Sequence, residues 1–479
     1  MKLSAEISTH ITKLCSELHS KVSAFTEHEL GSLKDEQGPL AALIKQLRSS
    51  EAALIARLED TAQNAGKLGA DQSEASGAAL EFGLALAVIE ESHPELARLL
   101  GLPEPKITQK HLDSFRDLIA AGVVLSDGTI VGFSKYEQLD LGWAYAPINY
   151  IFNLIDKNAI AKFRTGNIEI KAPSSTLRVG VYGDWGTGFF PDGNLDSPAQ
   201  MVLEQLEKQK SDYNIHLGDV YYAGTDRHRW PAGEEKENFI DLIAASNLKN
   251  NLTLNSNHEM YGGMNGYYEA LDSGNFSGQQ GVGYFAVESD HWILLGLDSA
   301  YDATYENTKA ILYMEGAIRE KAQLEFIAEY GKRGKPVIIF THHVCVDFDG
   351  TKATGLWNDV TNALGRAPEF WYFGHTHTGV AYSDQSFPGQ QGCVARILGH
   401  AAIPYGKAHG LYEKNGKLKP VADWVAHEPM DKAFPNTTPA QANRVLNGFA
   451  TLDLTPTGLT ETIYSQTGSV VFTKSFDFS

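Results

Sequence analysis

The sequence is poor in cysteine and in long apolar runs, and both shortages narrow the class of protein. Three cysteines among 479 residues, Cys15, Cys345 and Cys393, form no disulfide framework and leave one thiol unpaired, which favours a reducing compartment. No stretch approaches the ~20 apolar residues of a membrane-spanning helix. The first residues are polar where a signal peptide has its apolar core. We therefore expect a cytoplasmic protein.

Positive charge is also scarce, and the formal net charge is -19. Nucleic acids and anionic membranes both bind basic surfaces, so neither is expected as a general partner. Hydrophobic residues make up 43% of the chain and charged residues 21%, which is ordinary for a globular protein. Because 479 residues exceed the size of a single core, the chain should divide into two or three domains.

The first 120 residues show a helical pattern. Apolar residues recur at steps of three and four, beginning with Ile7, Ile11 and Leu14. Such striping is typical of a helical bundle, or of a helical hairpin that self-associates or contacts another protein. We predict an α-helical domain over residues 1–120, with no catalytic role.

Residues 121–175 are expected to connect this domain to the next. Asp127-Gly128 stands between two β-branched runs, which predicts a hairpin of residues 123–125 and 129–131. We place a domain boundary near Pro173. A cluster of aromatic residues in this segment is predicted to pack between the domains: Trp143, Tyr145, Tyr150 and Phe152.

From residue 177 onward the pattern alternates strand and helix. Residues 177–182 and 213–217 read as strands and residues 198–208 as the helix between them, which predicts a βαβ unit. Asp184 and Asp219 follow the two strands. Ligands collect at the carboxyl ends of parallel strands, so we expect these two carboxylates to meet.

Polar side chains follow five predicted strands in this way. They are Asp184, Asp219 with Tyr222, Asn257 with His258, His342 with His343, and His375 with His377. Carboxylate, amide, imidazole and phenol groups without a thiolate suit Fe, Mn or Zn. Two such ions about 3.5–4 Å apart can clamp a phosphoryl group and activate water.

The five motifs, in this order, resemble those of the calcineurin-like metallophosphoesterases, and among them the purple acid phosphatases. The motifs are Gly-Asp-x-Gly, Gly-Asp-x-x-Tyr, Asn-His-Glu, a strand ending in His, and Gly-His-x-His. The resemblance covers residues 176–479. It implies an α/β (α+β) fold of two packed mixed β-sheets flanked by helices, here preceded by the N-terminal α-helical domain.

The resemblance also implies which residues bind two metal ions. Asp184, Tyr222 and His377 would hold the first ion, Asn257, His342 and His375 the second, and Asp219 both. A phenol with a pKa of about 10 binds as phenolate only beside a strong Lewis acid, so Fe(III) is expected at the tyrosine, with Fe(II), Zn or Mn in the second site. On an extended segment, Tyr221 would point away from Tyr222.

His258 and His343 are the candidate catalytic histidines, beside the bridging Asp219. His258 would protonate the leaving oxygen or stabilise charge on the phosphoryl oxygens, with Glu259 orienting its ring. His343 is the second candidate, and its role is not separated from that of positioning the substrate.

Three features depart from the family pattern. Most metallophosphoesterases have a histidine two residues after the first aspartate, where this chain has Gly186. Tyr222 matches the tyrosine that replaces this histidine in purple acid phosphatases. Ser256 stands where the Asn-His motif is usually preceded by glycine. The helical first 120 residues also differ from the secreted plant enzymes, so the resemblance implies neither the substrate nor the compartment.

We predict hydrolysis of a small phosphorylated substrate, a phosphate monoester, by a metal-bound hydroxide that attacks phosphorus in line. Hydrolysis of a phosphodiester or a nucleotide at the same site is the first alternative. The second is an inactive scaffold whose helical domain binds a partner. Retention of every expected ligand argues against the scaffold.

Overall fold

The computed structural model describes residues 123–478, apart from gaps at 125, 132–133, 138–139, 147–148, 151–152, 154–156, 192–194, 230 and 304–313. The α-helical domain predicted for residues 1–120 lies outside the described residues, as does Phe152.

The described chain contains sixteen strands. They are β1 (Val123–Val124), β2 (Ile130–Val131), β3 (Glu169–Lys171), β4 (Leu177–Tyr182), β5 (Tyr213–His216), β6 (Asn251–Thr253), β7 (Phe285–Glu288), β8 (Ile293–Gly296), β9 (Val337–Thr341), β10 (Phe370–Phe373), β11 (Gly379–Tyr382), β12 (Val394–Leu398), β13 (Ala422–Val425), β14 (Gly448–Thr455), β15 (Gly458–Ser465) and β16 (Val470–Asp477).

Two mixed sheets form the core of the fold, as predicted. One has eight strands in the order β13-β11-β12-β10-β9-β8-β7-β3, and the other has six in the order β16-β15-β14-β4-β5-β6. The strands β4, β5 and β6 run parallel, as do β8, β9, β10 and β12. The carboxyl ends of each parallel set therefore lie along one edge of its sheet, where the site forms.

Helices flank the sheets. Within the described residues they are α1 (Pro198–Gln209), α2 (Asp241–Ala245), α3 (Asn257–Tyr261), α4 (Asn265–Asp272), α5 (Lys321–Gly331), α6 (Gly355–Leu364), α7 (Phe387–Gln390), α8 (Met430–Ala433) and α9 (Pro439–Ala442). Short 3₁₀ turns at Leu141–Ala144, Lys157–Ala159, Ser277–Gln279 and His409–Leu411 and a π turn at Lys236–Ile240 complete the elements. Over this part of the chain, none of the helices combines the length and apolarity that crossing a membrane requires.

The burial of the strands explains their composition. Strands β9 and β10 lie inside the eight-stranded sheet and are buried along their whole length, so both are continuous apolar runs. Strand β15 alternates half-buried and buried residues because only one of its faces is covered. The strand predicted at 177–182 agrees with β4, and the helix predicted at 198–208 ends one residue later, at Gln209.

The described residues of the segment 121–175 pack against the sheets. Strand β3 pairs with β7 at the edge of the eight-stranded sheet, so the boundary expected near Pro173 follows a strand of that sheet. Glu137 forms a buried ion pair with Arg444, which lies 307 residues further along the chain. Trp143 and Tyr145 are buried in the same apolar cluster as Tyr221 and Tyr222. In the described chain these aromatic residues therefore pack beside the candidate site.

A second buried ion pair joins the two sheets. Arg396 of β12 and Glu461 of β15 are both fully buried, and Arg396 Nη2 lies 2.6 Å from Glu461 Oε1. Arg396 Nε donates to both oxygens of Glu461 at 2.8 and 3.0 Å, and the Tyr372 hydroxyl donates to Oε2 at 3.1 Å. Each charge is thus neutralised and hydrogen-bonded, which a buried ion pair requires.

We predict that Glu461→Gln lowers the free energy of unfolding by about 3–5 kcal/mol, because it leaves the Arg396 charge buried without a counter-charge. The double variant Arg396→Met/Glu461→Leu should recover most of this loss. Urea unfolding of the full chain measures both. Lys321→Ala, which breaks the exposed pair with Glu325, is the control and should change stability by about 1 kcal/mol or less. A similar small effect of Glu461→Gln would contradict the prediction.

Candidate metal centre

The site lies where strands of both sheets end. Asp184 follows β4, Asp219 follows β5 and His375 follows β10, and all three have positive φ angles of 56°, 80° and 68°. Non-glycine residues rarely adopt this conformation, which is unfavourable by of order 1–3 kcal/mol and persists where the surroundings enforce it. The His375 amide N–H donates to Asp184 Oδ2 at 3.0 Å, which ties the two strand ends together.

Four side chains converge in what we call the first donor group. It consists of Asp184 Oδ1, Asp219 Oδ2, Tyr221 Oη and His377 Nε2. Tyr221 Oη lies 2.9 Å from Asp219 Oδ2, 3.2 Å from His377 Nε2 and 3.5 Å from Asp184 Oδ1. His377 Nε2 lies 3.6 Å from Asp184 Oδ1 and 3.8 Å from Asp219 Oδ2.

The other oxygen of Asp219 belongs to a second donor group, with Asn257 Oδ1, His342 Nε2 and His375 Nδ1. His342 Nε2 lies 2.8 Å from Asn257 Oδ1, 3.2 Å from His375 Nδ1 and 3.2 Å from Asp219 Oδ1. Asn257 Oδ1 and His375 Nδ1 are 3.1 Å apart. Asp219 therefore faces one group with each of its carboxylate oxygens.

The hydrogen bonds around the second donor group direct lone pairs inward. His342 Nδ1 donates to the Leu217 carbonyl at 2.9 Å, so Nε2 presents its lone pair in the neutral imidazole. Asn257 Nδ2 donates to Tyr261 Oη at 2.6 Å, which turns Asn257 Oδ1 toward the histidines. Asp219 Oδ1 is buried and accepts no hydrogen bond from the described residues. Acceptors that face one another in this way repel unless a cation lies between them.

The spacing also fits a metal ion. Donor atoms bound to one ion at about 2.0–2.2 Å lie roughly 3 Å from one another. The contacts of 2.8–3.2 Å in the second donor group match this spacing. The described residues hold two sets of potential ligands at short range, Asp184, Asp219 and His377, and His342, His343 and His375.

The electrostatics of the site favour the binding of a cation. Burial, together with the negative charge of Asp219, raises the pKa of Asp184 well above its ordinary value. Burial and the same carboxylates raise the pKa of the Tyr221 phenol. Burial lowers the pKa of His342 to about 4, which keeps the imidazole in the neutral form that binds metals. A bound cation would reverse the penalty on the carboxylates and the phenol.

The position of Tyr222 corrects our sequence prediction. Its hydroxyl donates to Asp140 Oδ2 in a short hydrogen bond and does not join the first donor group, whereas Tyr221 does. We expected the opposite because Tyr222 matches the tyrosine of the Gly-Asp-x-x-Tyr motif. Strand β5 ends at His216, and Tyr221 and Tyr222 lie in a turn beyond it.

The missing histidine at position 186 has a steric explanation. A Cβ atom on Gly186 would lie 2.5 Å from Val220 Cα and 2.7 Å from the Asp219 carbonyl oxygen. Because backbone atoms cannot move aside as a side-chain tip can, this position excludes any side chain.

His258 lies beside the first donor group, and its catalytic role stays a prediction. Its Nδ1 donates to the Tyr222 carbonyl at 2.6 Å, and its Nε2 lies 4.0 Å from Asp219 Oδ2. The expectation that Glu259 orients this ring is wrong, because the Glu259 carboxylate is bonded to the Ser256 hydroxyl. Burial lowers the pKa of His258.

His343 borders the second donor group. Its ring centre lies 4.7 Å from that of His375, and its Nδ1 lies 3.0 Å from Ser299 Oγ. Its Nε2 is buried and has no hydrogen-bond partner among the described residues. His343 therefore has a ring nitrogen that is available to a metal ion or substrate bound at the second donor group. Its role as a catalytic or positioning residue stays a prediction.

Two contributors to the centre were not predicted as such. Tyr261 follows Asn257 by four residues on α3, a spacing that places side chains on one face of a helix and could have indicated their contact. Asp140 lies 82 residues before Tyr222, and no local pattern in the sequence links the two.

Comparison with known proteins gives the family of this part of the chain. Residues 177–379 match the family model of the calcineurin-like phosphoesterases. They form a calcineurin-like phosphoesterase domain. The family implies a dinuclear metal centre and hydrolysis of phosphoester bonds, which agrees with two donor groups that share Asp219.

The chain was also compared with curated proteins and with solved structures. None of the curated proteins compared with the chain matches it. Among solved structures, the chain is similar to GAP50, the anchor in the inner membrane complex of Plasmodium, with 12% identity and a TM-score of 0.41 over 64% of this chain and 89% of that one. It is also similar to PhoD, with 8% identity and a TM-score of 0.40 over 64% of this chain and 73% of that one.

For the phosphoesterase domain, we predict that Asp219→Ala removes bound metal from both donor groups, since each group loses one oxygen of the same carboxylate. Asp184→Ala should reduce only the occupancy of the first donor group. Elemental analysis of the purified variants measures the ions retained per chain. Asp453→Ala, at a half-exposed ion pair on β14, is the control and should retain both ions. Full occupancy in Asp219→Ala would contradict the shared role.

We also predict that Tyr261→Phe weakens metal binding at the second donor group by roughly 10- to 100-fold, the usual effect of losing a partner that orients a ligand. The phenylalanine ring keeps the contact with His258, whose ring centre lies 5.0 Å away, but cannot accept the hydrogen bond from Asn257. Titration of the metal-depleted protein measures the affinity. An unchanged affinity would show that the Asn257 amide is held by its other contacts.

Proposed function

We propose that the chain hydrolyses monoesters of small phosphorylated substrates. The observation that carries the proposal is the arrangement of two donor groups on the two oxygens of Asp219. Two ions bound there would supply Lewis-acid activation of the phosphoryl group and of water. The oxygen of water joins phosphorus, the ester P–O bond breaks, and the alcohol leaves with a proton.

His258 is the residue that we assign to that proton. Its Nδ1 is committed to the Tyr222 carbonyl, so Nε2 is the atom free to exchange a proton on the side facing Asp219. The rings of Trp143, Tyr221 and Tyr261 lie 5.6, 4.7 and 5.0 Å from its own ring and hold it in this orientation. Because Nδ1 already carries a proton, a second proton at Nε2 makes the imidazolium, which burial disfavours and the charge of the nearby Asp219 favours. That proton would pass to the leaving oxygen.

The burial of the donor groups supports a monoester over a diester. Asp184, Asp219 and His342 are fully buried, whereas the side chain of His377 is 24% exposed. Substrate would therefore approach past His377. A terminal phosphoryl group needs room for one organic substituent, and a diester needs room for two. Hydrolysis of a diester or a nucleotide at this site is the alternative within the same chemistry.

The chemistry of the donors supports iron at the first donor group. A phenol oxygen beside two carboxylates and one imidazole suits Fe(III), which stabilises phenolate. The second donor group, with amide, imidazole and carboxylate, suits Fe(II), Zn or Mn. We further propose a reducing, cytoplasmic compartment, in keeping with two buried free thiols at Cys345 and Cys393.

A substrate screen on the iron-reconstituted full chain tests the function. p-Nitrophenyl phosphate, bis-p-nitrophenyl phosphate and ATP report on monoester, diester and nucleotide hydrolysis. We expect the highest kcat/KM for the monoester. Preference for the diester or ATP would select the alternative chemistry. Two bound metals without turnover of any substrate would favour the inactive scaffold, whose partner would bind elsewhere on the chain.

We predict that His258→Ala lowers kcat by roughly 10²- to 10⁴-fold, the usual effect of removing a proton donor, while both metal ions stay bound. Elemental analysis and steady-state kinetics on the same preparation separate the two effects. His291→Ala, at an exposed histidine, is the control for general loss of an imidazole. Activity of His258→Ala within a few-fold of the unmodified protein would exclude this histidine from proton transfer.

A further inference from the structure

We propose that Asn153 is a positioning residue of the metal centre, because its amide binds the carboxyl end of α3 and so holds Asn257 and His258 in place. The inference rests on the proposed function, since both residues act in the same centre. Asn153 lies outside the family match at 177–379. It belongs to the segment that we expected only to connect two domains.

Helix α3 is too short to hold its own position. It spans five residues, Asn257–Tyr261, which is fewer than two turns. Such short helices depend on contacts with the rest of the chain. At the amino end, Ser256 Oγ accepts a hydrogen bond from the His258 amide at 3.0 Å. Asn257 and His258 lie at this end, so a displacement of α3 would move both.

The carboxyl end of α3 is bound by Asn153. Its Nδ2 donates to the Met260 carbonyl at 3.1 Å and to the Tyr261 carbonyl at 2.9 Å. The last carbonyls of a helix have no partner one turn further on, and the two hydrogens of one amide nitrogen bridge two of them here. Asn153, Met260 and Tyr261 are all buried, so water does not compete for these bonds.

Tyr261 connects this backbone contact to the functional side chains. Its Oη accepts from Asn257 Nδ2 at 2.6 Å, which leaves Asn257 Oδ1 facing the second donor group. Its ring centre lies 5.0 Å from that of His258. Asn153 therefore holds the backbone of the residue whose side chain contacts both Asn257 and His258.

The same segment packs two aromatic rings against α3. The Tyr150 ring lies 6.4 Å from that of Tyr261, edge to face, and the Trp143 ring lies 5.6 Å from that of His258. Rings that pack in this way restrict the helix sideways but form no directed bond along its axis. The two hydrogen bonds from Asn153 supply that direction.

Other bonds join the two parts of the chain beyond α3. The Ala161 amide donates to the Gly263 carbonyl at 2.9 Å, and Tyr268 Oη donates to the Lys162 carbonyl at 3.0 Å. Asn265 Nδ2 donates to the Ala159 carbonyl at 2.9 Å. Because these bonds do not involve Asn153, its replacement should displace the end of α3 without detaching the segment.

Metal affinity is the first test. In the Asp184→Ala background, which isolates the second donor group, Asn153→Ala should weaken metal binding roughly tenfold, the lower end of the effect of losing an outer partner of a ligand. Titration of the metal-depleted full chain measures this. Asn265→Ala is the matched control, since its amide also bonds two carbonyls of the same contact, those of Ala159 and Gly263, but none of α3. Unchanged affinity in Asn153→Ala, or an equal loss in Asn265→Ala, would overturn the proposal.

A double-mutant cycle tests the path through Tyr261. Asn153→Ala/Tyr261→Phe should weaken metal binding by less than the product of the two single effects, because residues that act through one contact are not additive. A loss equal to the full product would mean that the two residues act independently, and would overturn the proposal.

Kinetics at saturating metal separate positioning from stability. Asn153→Ala should lower kcat by roughly ten- to a hundredfold with KM within a few-fold, since a displacement of about 1 Å at a reacting group can cost 10²-fold. A lower urea midpoint with unchanged kcat would show a merely structural role and overturn the proposal.

Asn153→Ser serves if Asn153→Ala does not fold. Its hydroxyl keeps one donor in place of two, so it should cause smaller losses of affinity and of kcat, and no loss of either would overturn the proposal. If the unmodified chain binds two ions but hydrolyses none of the substrates, the proposed function fails, and the affinity measurements still decide the role of Asn153.

Discussion

The sharing of one buried carboxylate is the constraint on which the centre depends. Asp219 has a single orientation in which Oδ2 contacts the first donor group and Oδ1 the second. Strand β5, which presents it, pairs with β4 and so fixes its distance from Asp184. The histidines come from the other sheet, so the packing of the two sheets must be accurate at this edge. The Arg396–Glu461 pair joins the same two sheets.

Metal binding and folding should be linked in this protein. The donor groups bring buried acceptors within about 3 Å of one another, and three residues at the centre have positive φ angles. These unfavourable features are offset when a cation binds, because the same lone pairs then become ligands. A ligand that binds the folded chain stabilises it in proportion to its affinity. Strain and repulsion at the centre are therefore compatible with a stable domain that contains metal.

The sequence predicted most of the fold and of the donor set, because both depend on local patterns. Strands β4 and β10 coincide with apolar runs that have clear ends. Shortly after such runs come four of the donor residues, Asp184, Asn257, His342 and His375. The contact of Tyr221 with the first donor group was missed because the motif names Tyr222, three residues after Asp219. Asp140 was missed because its contact with Tyr222 joins distant parts of the chain. Residues 121–175 were treated as a connection, although Trp143 and Tyr145 lie in the same buried cluster as Tyr221 and Tyr222.

A family motif defines a spacing along the chain, whereas a metal ion selects atoms by their position in space. In the turn after β5, two adjacent tyrosines satisfy the chemistry, and the motif alone cannot distinguish their directions. Asp140, which precedes the matched segment, binds the Tyr222 hydroxyl and holds it away from the first donor group. A segment outside the motif can therefore decide which of two adjacent side chains faces the donor groups. Conversely, a sequence with the same motif but without an acceptor at position 140 would lack the hydrogen bond that holds Tyr222 away from the metals.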